Sequence, residues 1–178
     1  MNPSRIAKFE KVSFEQFKND WLAKNPTSKT KWTDEEIRSV YDSIALPKRG
    51  TAGSAGYDIT ASYDINIPFG TSVVIPTGLR CKIENGWFLD LNPRSGHGFK
   101  FGIHLANTRG IIDSDYYNAD NEGHIMVKIV NDCNALTESA FSVEKGKGFC
   151  QGIFTIYGIT EDDACETERH GGMGSTDK

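Results

Sequence analysis

The run Gly110-Ile111-Ile112-Asp113-Ser114-Asp115-Tyr116 holds residue types suited to hydrolysis. Ile111 and Ile112 are β-branched and favour an extended, stiff backbone ahead of Asp113, while Ser114 and Asp115 are turn formers. A carboxylate held on a stiff support beside an aromatic ring, here Tyr116, suits a general base that takes a proton from water. An aspartate in such a place more often simply forms the turn, so other stretches must decide. Pro93-Arg94-Ser95-Gly96-His97-Gly98 joins a guanidinium, a hydroxyl and two glycines whose N–H groups can approach an anion. Gly146-Lys147-Gly148-Phe149-Cys150-Gln151 offers a glycine turn and a polar amide, and Ser54-Ala55-Gly56-Tyr57-Asp58-Ile59 a second carboxylate. Each taken singly also reads as an ordinary turn or a solvated surface group.

The elements that position these groups follow from pattern. The run 110–116 lies between two strand-like segments, Phe99–Asn107 and His124–Val130, and reads as the turn of a wide hairpin. Further short runs, bounded by glycine turns, span Tyr57–Ala61, Thr71–Ile75, Leu79–Ile83, Trp87–Leu91, Phe99–Leu105, Ala140–Val143 and Phe149–Tyr157. Closely spaced strands without intervening helices predict a mainly β chain, a jelly-roll β-sandwich or barrel. Residues 1–46 differ. Ser13 with Gln16, and Thr33 with Glu36, fit capping boxes that start two short amphipathic helices, joined by the polar 25–31 linker. Their stripes, Phe14/Phe17/Trp21 and Ile37/Val40/Tyr41/Ile44, are expected to pack on the domain or on a neighbouring subunit. The division is thus 1–46 helical extension, 47–160 β-domain and 161–178 C-terminal arm, glycine-rich at its end and expected to be mobile.

The 178 residues suit one domain with a real core. With 20 basic against 24 acidic residues, net charge −4, no cationic excess points to nucleic acid. The four cysteines are far apart, without Cys-x-x-Cys spacing, so reduced thiols and no structural zinc are expected. No apolar run is long enough to span a membrane, and residues 1–10 lack the apolar stretch of a secretory leader, so a cytoplasmic location is expected.

Taken together and in this order, five stretches resemble the motifs of the trimeric dUTPase (dUTP diphosphatase) family. They are Ala55-Gly56-Tyr57-Asp58-Ile59, Pro93-Arg94-Ser95-Gly96, Gly110 to Tyr116, Gly146 to Gln151, and Gly171-Gly172-Met173-Gly174-Ser175-Thr176. The resemblance covers about Leu46 to Thr176, and the N-terminal helices are similar to an extension in a bacterial and phage branch. Three positions depart from the family pattern. Lys147-Gly148 stands where an acidic-then-arginine pair is usual, Met173 where an aromatic is usual, and Gly96 where a second serine is usual.

The resemblance implies hydrolysis of dUTP to dUMP and pyrophosphate, with in-line attack of water on the α-phosphorus and Asp113 as general base. This lowers dUTP and supplies dUMP for dTMP synthesis. It implies that Arg94, Ser95 and the Gly96 N–H hold phosphates, that Gln151 helps near the α-phosphate, and that Arg169 reaches the terminal phosphate. Ile111 and Ile112 belong to the substrate-binding run, and Asn107 and Met126 flank it so that their backbone groups meet the base. A backbone reader matched to uracil leaves groups unpaired with cytosine, at about 1–3 kcal/mol each. Tyr116 packs under the sugar. Met173 covers the base in place of an aromatic ring, with Gly174 and Ser175 beside it. Mg²⁺ is chelated by the triphosphate, and Asp58 touches it only through water. Three copies share each site: one gives the phosphate loops, a second the hairpin, a third the tail, which cannot easily fold back on its own domain.

Two other readings are weighed. The related dCTP deaminase needs a glutamate on the strand after the hairpin, where this chain has Lys128, and a lysine is normally protonated at neutral pH. The other is a nucleotide-dependent regulatory binding protein whose helical extension meets a protein partner. Intact Asp113, Arg94 and Arg169 argue against loss of catalysis.

Overall fold

In the computed structural model, residues 4–27, 29, 31–132, 139–167 and 169–171 are described. The chain begins with a strand that the sequence reading missed, β1 (Ala7–Lys11), followed by α1 (Phe14–Lys24) and α2 (Asp34–Asp42). Then come β2 (Lys48–Arg49), β3 (Tyr57–Thr60), β4 (Ile65–Ile67), β5 (Thr71–Pro76), β6 (Leu79–Ile83) and β7 (Trp87–Pro93). After α3 (Ser95–Phe101) follow β8 (His104–Leu105), β9 (Gly110–Ile112), a 3₁₀ turn (Asp115–Asn118), β10 (Met126–Asn131), β11 (Phe141–Val143) and β12 (Gly148–Ile156). Among the described residues the strands form four antiparallel sheets, ordered β1-β6, β5-β10-β8, β11-β4 and β2-β3-β12-β7-β9. This is the mainly β, jelly-roll architecture expected.

Two local readings are corrected. Phe99–Leu105 is not one strand: Phe99 and Phe101 end α3, and only His104–Leu105 pairs with β10. The alternating apolar residues mimic a strand, but Gly102 adopts φ 67° and its N–H bonds Gly98 O, which ends a helix in the left-handed manner. Phe99 is 95% exposed, so no core face enforced the period-two pattern. The run 110–116 is not a bare turn either. It is β9, which pairs with β7, followed by the 3₁₀ turn.

The extension packs on its own β-domain. Phe17, Trp21, Ile37, Val40 and Ile44 share one buried cluster with Ile59, Leu89 and Ile129. The box at Thr33 and Glu36 forms in both directions. At Ser13 only half forms as expected: its hydroxyl accepts from Gln16 N, but its own N–H donates to Glu122 Oε2, 2.7 Å away. Gln16 instead donates its amide to Asp20 (2.7 Å). A distant carboxylate therefore completes the cap and ties α1 to the loop before β10. Cys81 and Cys150 are buried free thiols, and burial pushes each up to about 12. Cys165 is free and exposed.

Candidate active site

The first cluster assembles across three neighbouring strands. In β12, Gln151 stands opposite Asp58 of β3 on one side and Asn92 of β7 on the other. Arg94 follows β7 at once, and its Nε lies 3.3 Å from Asp58 Oδ1. Two glycines make room: a Cβ on Gly56 would meet Gln151 Oε1 at 2.8 Å, and one on Gly148 would meet Arg94 Cδ at 3.0 Å. Ser95 and Gly96 open α3, where the first N–H groups precede the helical hydrogen bonding. Burial, and then the Arg94 guanidinium, push His97 below the ordinary histidine range, so it stays neutral at pH 7 and Arg94 carries the cationic charge. The arrangement suits an anion with several oxygens.

The second feature is a cleft of about 400 Å³ between β8, β9 and β10. Asn107, Ile111, Ile112 and Met126 all line it, together with Leu91, Leu105 and Gly110. A Cβ on Gly110 would sit 3.0 Å from Leu91 Cβ, so only glycine keeps that wall flat. The cleft is apolar with backbone groups at its strands, which suits a flat heterocycle. Lys24 of α1 and Lys128 of β10 also reach it. Lys24 was missed as a site residue: the capping signal located its helix, but nothing local says what the last turn faces.

Asp113 follows β9, with its side chain half exposed. Arg169 Nη2 donates to Asp113 Oδ2 at 3.0 Å, and its Nε lies 3.4 Å from Asp115 Oδ1. Asp120 N donates to His170 O at 3.0 Å. At Arg169 and His170 the tail thus does fold back on its own domain, correcting the expectation above; the two carboxylates supply the attraction. Tyr116 is buried, donating to His124 O (2.9 Å) and accepting from Asn121 Nδ2 (2.7 Å). Asp90, nearly buried on β7, accepts from Arg109 Nη2 and Nε at 2.6 and 3.2 Å, a two-point clamp on the loop entering β9. Nothing in the local spacing of Asp90 and Arg109 marks this long-range pair.

The two regions are separate within one chain. β9 pairs with β7 so that Ile112 faces Leu89, and the five steps from Leu89 to Arg94 span roughly 16 Å of extended strand. Asp113 and Arg94 of one chain therefore do not share one phosphate. Met173, Gly174 and Ser175 lie outside the described residues.

A dUTPase family model matches residues 42–177. A deoxyuridine 5'-triphosphate nucleotidohydrolase of Lactococcus lactis is 40% identical over 136 residues, covering 75% of this chain and 88% of that protein. One from Wolinella succinogenes is 33% identical, covering 80% and 93%. The chain belongs to the dUTPase family. Solved dUTPases share its fold. That of Streptococcus mutans superposes with a TM-score of 0.57 at 38% identity, over 65% of this chain and 88% of that one. A dUTPase of Staphylococcus bacteriophage 80alpha reaches 0.61 at 16% identity, over 92% and 98%. As a dUTPase the chain is an enzyme of the dUTP diphosphatase class. At the departure at position 148, the absence of a side chain lets Arg94 lie against the Gly148 backbone.

The residues also fit a hydrated cation carried by a polyphosphate. Among the described residues no three His, Cys, Asp or Glu side chains form a cage. Asp58 offers a partly exposed carboxylate beside the anion cluster, enough for an ion that keeps most of its water. Among the described residues no helix is long and apolar enough to cross a membrane.

Proposed function

We propose that the enzyme hydrolyses dUTP to dUMP and pyrophosphate at sites shared between copies in a homotrimer. The observation that carries this reading is the separation of two complementary half-sites on one chain. One is an apolar cleft whose wall residue Ile112 is followed in the chain by Asp113, the other a cluster of Arg94, Gln151 and Asp58 about 16 Å along the strand. A neighbouring copy brings its Arg94 cluster to this chain's Asp113.

The base enters the cleft, where backbone groups of Asn107 and Met126 pair with uracil and leave cytosine mismatched. Ile111 and Ile112 hold the cleft wall and aim Asp113, and Tyr116 supports the sugar. Arg94, Ser95 and the Gly96 N–H hold phosphate oxygens, with Gln151 near the α-phosphate. Asp113 accepts a proton from the water that attacks the α-phosphorus, a role worth about 10²–10⁴-fold. Arg169 gives up Asp113 for the terminal phosphate, and Met173, Gly174 and Ser175 close over the base. Asp58 would hold Mg²⁺ carried by the triphosphate through water, and the ion would supply neutralisation of phosphate charge. The domain division at 46 and 160 stands as part of this proposal, as does a cytoplasmic place of action.

Lys128 lines the base cleft, where a deaminase would need a proton-shuttling carboxylate. The test is incubation with dUTP, dCTP, UTP and dTTP plus Mg²⁺, assaying pyrophosphate and ammonia. Pyrophosphate from dUTP alone is expected. Ammonia from dCTP, or equal turnover of UTP, refutes the reading.

A further inference from the structure

Helix α1 lies outside residues 42–177, the part matched to the family, yet it reaches the base cleft. We infer that Lys24 is a specificity-determining residue: its ammonium donates to a carbonyl oxygen at the open edge of the pyrimidine and adds to the preference for uracil over cytosine. The inference rests on the reading of the cleft as the base site.

Three observations carry it. Lys24 lines the same cleft as Asn107, Ile111 and Met126, whereas Arg94, Gln151 and Asp58 do not. Within one chain it therefore belongs with the base and not with the phosphate clamp. The turn that bears it is rigidly held. Trp21, fully buried, packs edge-on against Trp32 and Tyr63 with ring centroids 5.0 and 4.8 Å apart. Asp20 is bound to buried His124 at 2.6 Å, and Asn25 ends the helix in a left-handed conformation with its N–H on Trp21 O. Only the Lys24 side chain is left to adjust. The third observation is chemical. A lysine offers three donors and no acceptor. Uracil presents an oxygen at the ring position where cytosine presents an amino group, so the ammonium meets an acceptor in one case and a donor in the other.

Lys24 also stands in the last turn of α1, where a cation complements exposed carbonyls. That role affects stability and leaves the choice of base untouched, so base choice is the quantity to measure. Dissociation constants for dUMP, dCMP and deoxyuridine should be compared in the full-length wild type, Lys24→Met and Lys24→Arg. Circular dichroism serves as the folding control. Lys24→Met is expected to weaken dUMP and deoxyuridine about ten-fold each, to leave dCMP unchanged or tighter, and to lose most of this effect in Lys24→Arg. The inference is overturned if dUMP and dCMP weaken equally, if deoxyuridine binding is unchanged, or if nothing changes. A wild type that fails to hydrolyse dUTP brings down the parent reading. A wild type that hydrolyses dUTP, with an unaltered dUMP-to-dCMP ratio in Lys24→Met, brings down this inference alone.

Discussion

His124→Ala should cost a large part of the stability of this fold. His124 is fully buried, and its Nε2 lies 2.8 Å from the N–H of Gly78, also buried. That nitrogen must accept, so the ring proton resides on Nδ1 and is donated to Asp20 Oδ2 at 2.6 Å. Removing the ring leaves the Gly78 N–H without its acceptor, about 1–3 kcal/mol. It strips the half-buried Asp20 carboxylate of one of two donors, Gln16 being the other, and opens a void under Phe17. Together these sum to about 3–5 kcal/mol, against about 5–15 kcal/mol for a typical domain. With a urea slope of about 2 kcal/mol per molar, the midpoint should fall by about 2 M. Tryptophan fluorescence, at fixed protein concentration, reads this well because Trp21 packs one ring away. Asp20→Asn keeps an acceptor for Nδ1–H and should cost only about 1 kcal/mol. Burial opposes ionisation of Asp20, but the bonds from His124 and Gln16 outweigh it and hold the carboxyl below its usual range. Its contribution is therefore present above about pH 4 and is lost as pH falls through the lowered value, so the gap between wild type and Asp20→Asn should close in acid. A His124→Ala midpoint within about 0.3 M of wild type, or a gap that widens in acid, would refute this account.

Other expectations follow from the site. Asp113→Asn should lower kcat by about 10²–10⁴-fold with KM little changed; steady-state rates on dUTP check this, and an unchanged kcat retires Asp113 as the base. Gly148→Ala should push the Arg94 side chain aside and raise KM for dUTP by about ten-fold while the urea midpoint stays put; an unaltered KM would mean that Arg94 does not hold phosphate. Deleting the residues after Glu168 should sharply reduce turnover without unfolding the domain, as rates and circular dichroism together would show. Full activity in that truncation contradicts the role given to the arm.

The family resemblance grouped Asn107, Ile111, Ile112 and Met126, and the four line one cleft. Pattern failed where the burial signal was absent. In β1 only Phe9 is a large apolar residue among Ala7, Lys8, Glu10 and Lys11, so an edge strand rich in charge carried no alternation to read. In Phe99–Leu105 the alternation was present but unrelated to burial, and the chain folded into a helix. Lys24, Asp90 with Arg109, and Glu122 on Ser13 were illegible for another reason. Each acts through a partner far away in the chain, a matter of tertiary packing that no local spacing encodes.

The close fit of Arg94 over Gly148 has a corollary for exchange between relatives. The two positions are coupled: a side chain added at 148 meets the Arg94 stem at 3.0 Å, so arginine there requires Arg94 to leave the rotamer it holds here. Grafting the fourth motif of a sister enzyme, with its arginine, therefore tests whether Arg94 can turn aside and still serve the site.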